Sequence, residues 1–225
     1  MKIRIPLLIS LVLIAAMLGL SAWAWVLIPQ GARLPIHWGI DGQPNGFAGK
    51  TVGLFFAPGL AALISAVFVA IPMIEPRRMN LLSSNKFFSA SWIGVVALMA
   101  AIHVATVAAA LRYPIDVGTV VVAAVSMLFV VIGNYIGKTR SMFLGGVRTP
   151  WTLTSEFSWQ RTHSLAGKLF VLTGLATLAA EVALGPKPGT YTLMSLLTAS
   201  ITATLVMSYV YWRRDPDRRT GDTAP

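Results

Sequence analysis

The chain contains no cysteine. Disulfides, thiol nucleophiles and Cys-based metal sites are therefore excluded. Charge is also scarce. Asp, Glu, Lys and Arg make up 12% of the 225 residues, about half the share in ordinary soluble domains. Acidic residues number only 8. No paired carboxylates, Gly-rich phosphate loop or nucleophile–base pair can be marked, so no enzymatic class is indicated. No cofactor is expected. A metal site is not expected either, because His37, His103 and His163 fall in three separate segments, and Asp41 is the one acidic residue near His37.

What is present is apolar. Hydrophobic types reach 56% and the mean hydropathy is +0.71. Much of this surface has to face lipid. Six apolar segments can be marked: Pro6–Ile28, Val52–Ile74, Ser89–Leu111, Asp116–Ile136, Leu165–Leu184 and Tyr191–Trp212. Each is near the ~20 residues that an α-helix needs to cross the hydrocarbon layer. The fourth is rich in Val and Ile, which in water would favour a strand, but its length and company predict a helix. The expected fold is an all-α polytopic bundle of six transmembrane helices.

The net charge of +10 and pI near 10.6 would raise nucleic acid in a soluble protein. Here the basic residues lie between apolar runs, so they report topology, and no direct nucleic-acid contact is expected. With the N-terminus in the cytoplasm, the outer segments hold Arg33, Lys50, Arg112 and Lys187, and the other 14 of the 18 Lys and Arg residues lie inside. The positive-inside rule thus places both termini in the cytoplasm. Ala22-Trp23-Ala24 has the small-x-small form of a signal-peptide site. The apolar run continues through Trp25–Ile28, however, and is read as a retained span. The expected organisation is a two-helix unit over 1–80 with an outer loop at 29–51, a four-helix region over 81–212 with an inner loop at 137–164, and a basic, disordered tail over 213–225.

The two long connections carry the chemistry. Outside, Leu34-Pro35-Ile36-His37-Trp38 is followed by Asp41-Gly42 and Pro44-Asn45-Gly46. These turn formers predict a compact loop or short hairpin. His37 and Trp38 can meet something outside the membrane, or Trp38 and Phe47 can belong to the aromatic belt while His37 caps a turn.

Inside, Asn134, Lys138, Arg140, Gly145 and Arg148 lead into Thr149-Pro150-Trp151-Thr152-Leu153, then Trp159 and His163. Pro150 forces Thr149 toward an extended conformation. Thr152 or Thr154 can cap a short helix over about 155–166, with Glu156 complementing its N-terminus. Trp159 and His163, at i and i+4, would share a face of that helix. Trp151 and Trp159 are expected at the membrane interface, with Arg140, Arg148 and Arg161 toward headgroups or a partner. Anchoring on anionic lipid is the competing reading.

Within the spans, His103 and Glu181 are ionisable, and such residues carry a transport hypothesis by default. Lys187 can pair with Glu181. Asn134 is expected to bond a neighbouring helix, and Gly133 with Gly137 to let helices approach.

Both connections resemble one family. Gly133-Asn134, Lys138, Arg140, Gly145 and Arg148-Thr149-Pro150-Trp151-Thr152-Leu153, with Trp159, Thr162-His163 and Gly167 behind, look like the signature of SdpI-type immunity proteins. Leu34-Pro35-x-His37-Trp38 with Gly42-x-Pro44 resembles the small uncharacterised domain that often precedes that signature. Ser141-Met142 departs from the Pro-Asn pair common after the arginine. The resemblance implies a multispanning protein of the bacterial inner membrane, without enzymatic activity. Such a protein protects against a secreted peptide toxin and holds a small winged-helix autorepressor at the membrane. By that analogy Leu34, Pro35, His37, Trp38, Gly42 and Pro44 meet the peptide. The inner residues Asn134 to His163 meet the cytosolic partner. A small proton-coupled transporter using His103 and Glu181 is the alternative.

Overall fold

The computed structural model describes residues 3–39 and 43–217. In chain order these form α1 (Arg4–Leu27), β1 (Arg33–Trp38), β2 (Pro44–Gly49), α2 (Lys50–Ile74), α3 (Arg78–Ser83), α4 (Asn85–Ala110), α5 (Val117–Ile136), α6 (Pro150–Thr154), α7 (Glu156–Leu184) and α8 (Pro186–Arg213). All of these helices but α3 and α6 are long and apolar enough to cross a membrane, which makes six spans. The shortest, α5, has 20 residues and so extends about 30 Å, the thickness of the hydrocarbon core. The protein is a polytopic helical bundle with one added antiparallel hairpin, β1–β2.

The bundle is built inside out relative to a soluble protein. Val26 and Val182 are 83% and 89% exposed, while Ser10, Ser126, Thr162, Thr177 and Ser208 are fully buried. Lipid tails are as apolar as valine, so aliphatic burial does not drive helices together there. Close packing and hydrogen bonding do. Thr173 and Ser200 accordingly bond across α7 and α8 at 3.0 Å, and Trp92 of α4 donates to Ser65 of α2 at 3.2 Å.

The seam between α5 and α7 follows from glycine, as the Gly133–Gly137 spacing predicts. A Cβ on Gly133 would lie 2.7 Å from the Gly167 carbonyl oxygen, and a Cβ on Gly167 2.7 Å from that of Gly133. Only hydrogen at both positions permits this approach. At the N-terminus of α5, Asp116 accepts the backbone N–H groups of Gly118 and Thr119.

Three boundaries differ from the hydropathy pattern. Helix α7 begins at Glu156 instead of forming a separate short helix over 155–166, and Ser155 caps it by accepting from Ser158 at 2.9 Å. Its cap is thus Ser155 and not Thr152 or Thr154, while Thr149 caps an additional short helix, α6. Helix α8 begins at Pro186, leaving Gly185, at φ 96°, as the whole connection to α7. Hydropathy locates the part of a helix that meets lipid, and these helices continue into water. Of the expected tail, Arg213 ends α8, and residues 218–225 lie outside those described.

Candidate functional site

The bundle presents one built connection at each end. At the outer end β1 pairs with β2 from Arg33↔Gly49 to Trp38↔Pro44, and Gly39 donates to Gln43 at 2.8 Å. The turn positions Ile40, Asp41 and Gly42 lie outside the described residues.

Two side chains seat this hairpin on the bundle. Leu34 is 1% exposed and packs with Ala24, Ile28, Leu54 and Val107. Its Cβ would be 2.6 Å from a Cβ on Gly53, so α2 must have glycine beneath it. Lys50, one of the few outer cations, is buried. It donates to the Ile28 carbonyl at the end of α1 and sits 4.4 Å from the Trp25 ring centroid. A cation at a helix C-terminus is favourable.

The other outer residues remain accessible. His37 is exposed, with Nδ1 2.5 Å from Asn45 Oδ1, Pro44 is exposed, and Pro35 and Trp38 are half-buried. The strand segment Ile36–Gly39 forms one wall of an apolar groove of about 490 Å³. Val121 and Val125 of α5 and Leu193 and Leu197 of α8 form the others, with Lys187 and Thr190 at the rim. On the opposite side of the same strand a cavity of about 120 Å³ reaches down to His103.

His103 belongs to a buried polar cluster. Its Nε2 lies 3.0 Å from Ser21 Oγ and 3.2 Å from the Met17 carbonyl, and Ser21 donates its one proton to the Leu54 carbonyl at 2.7 Å. Nε2 therefore carries the ring proton, and Nδ1 is left buried without a hydrogen-bond partner. Glu181 is also buried, with Oε1 unpartnered. The expected pairing with Lys187 does not form. The ion pair among the described residues is Arg140–Glu156 at 3.7 Å. Nor does Asn134 reach another helix: it donates to Val130 of its own helix at 2.8 Å.

At the inner end the connection 137–155 is held from two directions. The end of α2 supplies the first. Buried Glu75 accepts the backbone N–H groups of Arg77 (2.9 Å), Phe143 (3.1 Å) and Leu144 (2.8 Å). Arg77 donates to Ser141 Oγ and to the Leu153 carbonyl, and lies over the Phe143 ring. Asn80 donates to the Ser141 carbonyl at 2.7 Å, and Ser84 accepts from the Arg140 N–H at 3.0 Å. The departure at Ser141-Met142 is absorbed here: Ser141 is bonded by Arg77 and Asn80, and Met142 is 1% exposed in the core.

Helix α7 supplies the second. Trp159 is fully buried instead of interfacial and donates from Nε1 to the Thr139 carbonyl at 3.1 Å. His163, also fully buried, stacks on it with centroids 3.9 Å apart, the shared face that the i, i+4 spacing predicts. Its Nδ1 donates to the Trp159 carbonyl and its Nε2 accepts the Val147 N–H, both at 2.8 Å. Gly146 has φ +85°, and a Cβ there would fall 2.4 Å from His163 Nε2.

Thr149 and Thr152 close a reciprocal capping box, and Thr149 also reaches Ser208 of α8. Among the expected inner residues, then, Thr149, Thr152, Trp159 and His163 are buried, and Gly145 and Trp151 are half-buried. Asn134, Lys138, Arg140, Arg148 and Pro150 are exposed. Arg148 donates back to the Phe143 carbonyl at 2.9 Å, and Trp151 packs edge-on against Tyr209.

Glu75, Arg77, Asn80, Ser84 and Gly146 were not singled out from the sequence. A signal for Glu75 existed: it is one of 8 acidic residues and stands between a span and Arg77-Arg78. An isolated acid in a basic segment has to satisfy something.

Residues 138–211 match the SdpI/YfhL protein family, and residues 12–62 match a domain of unknown function, DUF1648. Immunity protein SdpI of Bacillus subtilis (strain 168) is 22% identical over 209 residues, which cover 92% of this chain and 95% of that protein. No solved structure matches the chain.

Proposed function

Because residues 138–211 match the SdpI/YfhL protein family and most of the chain aligns with an SdpI immunity protein, we propose that it is a non-enzymatic immunity protein of the bacterial inner membrane, giving resistance to a membrane-active peptide toxin. The observation that carries this reading is the outer groove of about 490 Å³ between Ile36–Gly39, α5 and α8. Its lining is mostly apolar, with His37, Lys187 and Thr190 as the polar side chains. An amphipathic peptide entering from outside needs such a surface, with its apolar face against valines and leucines and its polar face at the rim. Captured there, it is kept from assembling in the bilayer.

The test is survival. A sensitive host expressing the chain is challenged with a panel of membrane-active peptides. Protection is expected against at least one, with Trp38→Ala and Val125→Trp lowering it at equal protein levels in the membrane. Equal killing with and without the chain across the panel would count against the proposal.

A second role at the inner end is supported by the exposed Arg140, Arg148 and Arg161 around a backbone held on two sides. Such a surface suits an acidic patch on a cytosolic protein, here a winged-helix autorepressor held at the membrane. Recovery of that partner should fall with Arg148→Ala plus Trp151→Ala, and equal recovery removes the assignment. The competing reading, proton-coupled transport, rests on the burial of His103 and Glu181. Proton flux in liposomes that is lost in His103→Ala would favour it over immunity.

A further inference from the structure

Two cavities meet on the face of the bundle between α4 and α5. One, of about 530 Å³, lies at the basic end and is lined by Ser83, Asn85, Lys86, Phe87, Tyr135 and Lys138. The other, of about 740 Å³, runs along the two helices toward the bilayer centre between Gly94, Ala97 and Leu98 on one side and Met127, Leu128 and Val131 on the other. Tyr135 and Lys138 line both, so the two form one continuous depression.

The gutter has a sequence cause. Ala90, Gly94 and Ala97 succeed one another on a single face of α4 by helical spacing, and they leave a trough where larger residues would stand proud. Leu128 folds into it at one point: a Cβ on Gly94 would lie 2.6 Å from Leu128 Cδ1. Below the trough the chemistry changes at once. Lys86 and Lys138 bring two positive charges and are exposed, and neither is ion-paired among the described residues. No acidic residue lines either cavity. Tyr135 adds a hydroxyl donor, whereas the Ser83 hydroxyl donates to the Met79 carbonyl at 3.1 Å. The amide oxygen of Asn85 is buried without a hydrogen-bond partner.

We propose that this depression is a site for one anionic phospholipid of the leaflet at the basic end, its phosphate between Lys86 and Lys138 and one acyl chain along Gly94, Ala97 and Leu128. The charge pattern selects the occupant. A zwitterionic lipid fills the gutter equally well but brings no net charge to the two lysines, whereas phosphatidylglycerol brings one net negative charge, and its glycerol hydroxyls can donate to Asn85. Basic pockets between transmembrane helices on the cytoplasmic side take such headgroups. The site shares no lining residue with the outer groove, and although Lys138 and Ser84 adjoin the inner connection, none of Arg140, Arg148 and Arg161 lines it.

The full-length chain in detergent is titrated with phosphatidylglycerol and, separately, phosphatidylcholine, and bound lipid is counted by native mass spectrometry. A single phosphatidylglycerol is expected to bind about tenfold or more tighter than phosphatidylcholine. Lys86→Gln with Lys138→Gln should abolish that preference, whereas Arg213→Gln with Arg214→Gln, an equal loss of charge elsewhere, should keep it. Ala97→Phe should weaken both lipids by obstructing the gutter. Millimolar inorganic phosphate and free glycerol phosphate should not displace the bound lipid. Equal affinity for the two lipids, or an unchanged preference in the double-lysine variant, overturns the proposal. Displacement by phosphate alone overturns it too, since the site would then bind an anion and not a lipid.

Discussion

His163 accepts the backbone N–H of Val147 through Nε2 at 2.8 Å while its ring stacks on Trp159. One side chain thereby fixes both the height of the inner connection and its lateral position. It does so as the neutral tautomer, since Nδ1 donates to the Trp159 carbonyl.

His163→Phe keeps an aromatic ring against Trp159 and removes the acceptor. The orphaned Val147 N–H should cost about 1–3 kcal/mol. The check is thermal unfolding in detergent, where the variant should melt earlier than wild type. Gly146→Ala should be worse, because it combines strain at φ +85° with a clash against His163. An unchanged midpoint in both would mean that the inner connection is held elsewhere.

Glu75 accepts three backbone N–H groups with one carboxylate. Glu75→Ala should therefore release residues 141–148, and Glu75→Gln, which keeps one acceptor oxygen, should release them partly. Hydrogen bonds to charged groups contribute about 1.5–3 kcal/mol each. Limited proteolysis of spheroplast-derived inverted vesicles reads the effect: new cleavage near Arg148 is expected in the order Ala, Gln, wild type.

Gly167→Ala places a methyl 2.7 Å from the Gly133 carbonyl oxygen. Helices α5 and α7 then have to separate, at a cost of about 1–3 kcal/mol by analogy with overpacked cores. Gly19→Ala, with nothing within 4 Å of the added Cβ, serves as the control and should leave the melting temperature unchanged or slightly raised. Equal effects of the two substitutions would argue against a glycine-dependent seam.

The absence of cysteine makes topology directly measurable. Gln43→Cys, in the outer turn, should react with an impermeant maleimide on intact spheroplasts, and Thr154→Cys should react only after permeabilisation. Labelling of both from the same side would remove the six-span arrangement.

Much of the fold could be read from the sequence because lipid imposes long apolar runs, and those runs are conspicuous. The hairpin was legible too, from the turn formers after Trp38, although Pro44-Asn45-Gly46 begins β2 and is not a turn. The helix ends were less so. Glu156 and Gln160 on α7 are polar and helical at once, and hydropathy registers only the first property. The inner connection was recognised as unusual, but its internal logic was hidden. Which residues of a signature point inward depends on partners distant in the chain, and nothing near Trp159 or His163 indicates that Thr139 and Val147 will meet them. Lys50 illustrates the same limit. As a charge it reads as an outer cation, and only the position of Ile28 shows that it ends α1.

The bonds from Glu75 to Phe143 and Leu144 join positions 68 and 69 residues apart. During synthesis the carboxylate is therefore made well before its partners. At about 5–20 residues per second the delay is roughly 3 to 14 s, and α4 and α5 have to enter the bilayer within it. Until then Glu75 stays hydrated at the membrane surface, and the end of α2 has nothing to hold. The clamp closes only on a chain whose fourth span is already in place. It thus falls midway through insertion, after four spans have been made and before α7 and α8 follow.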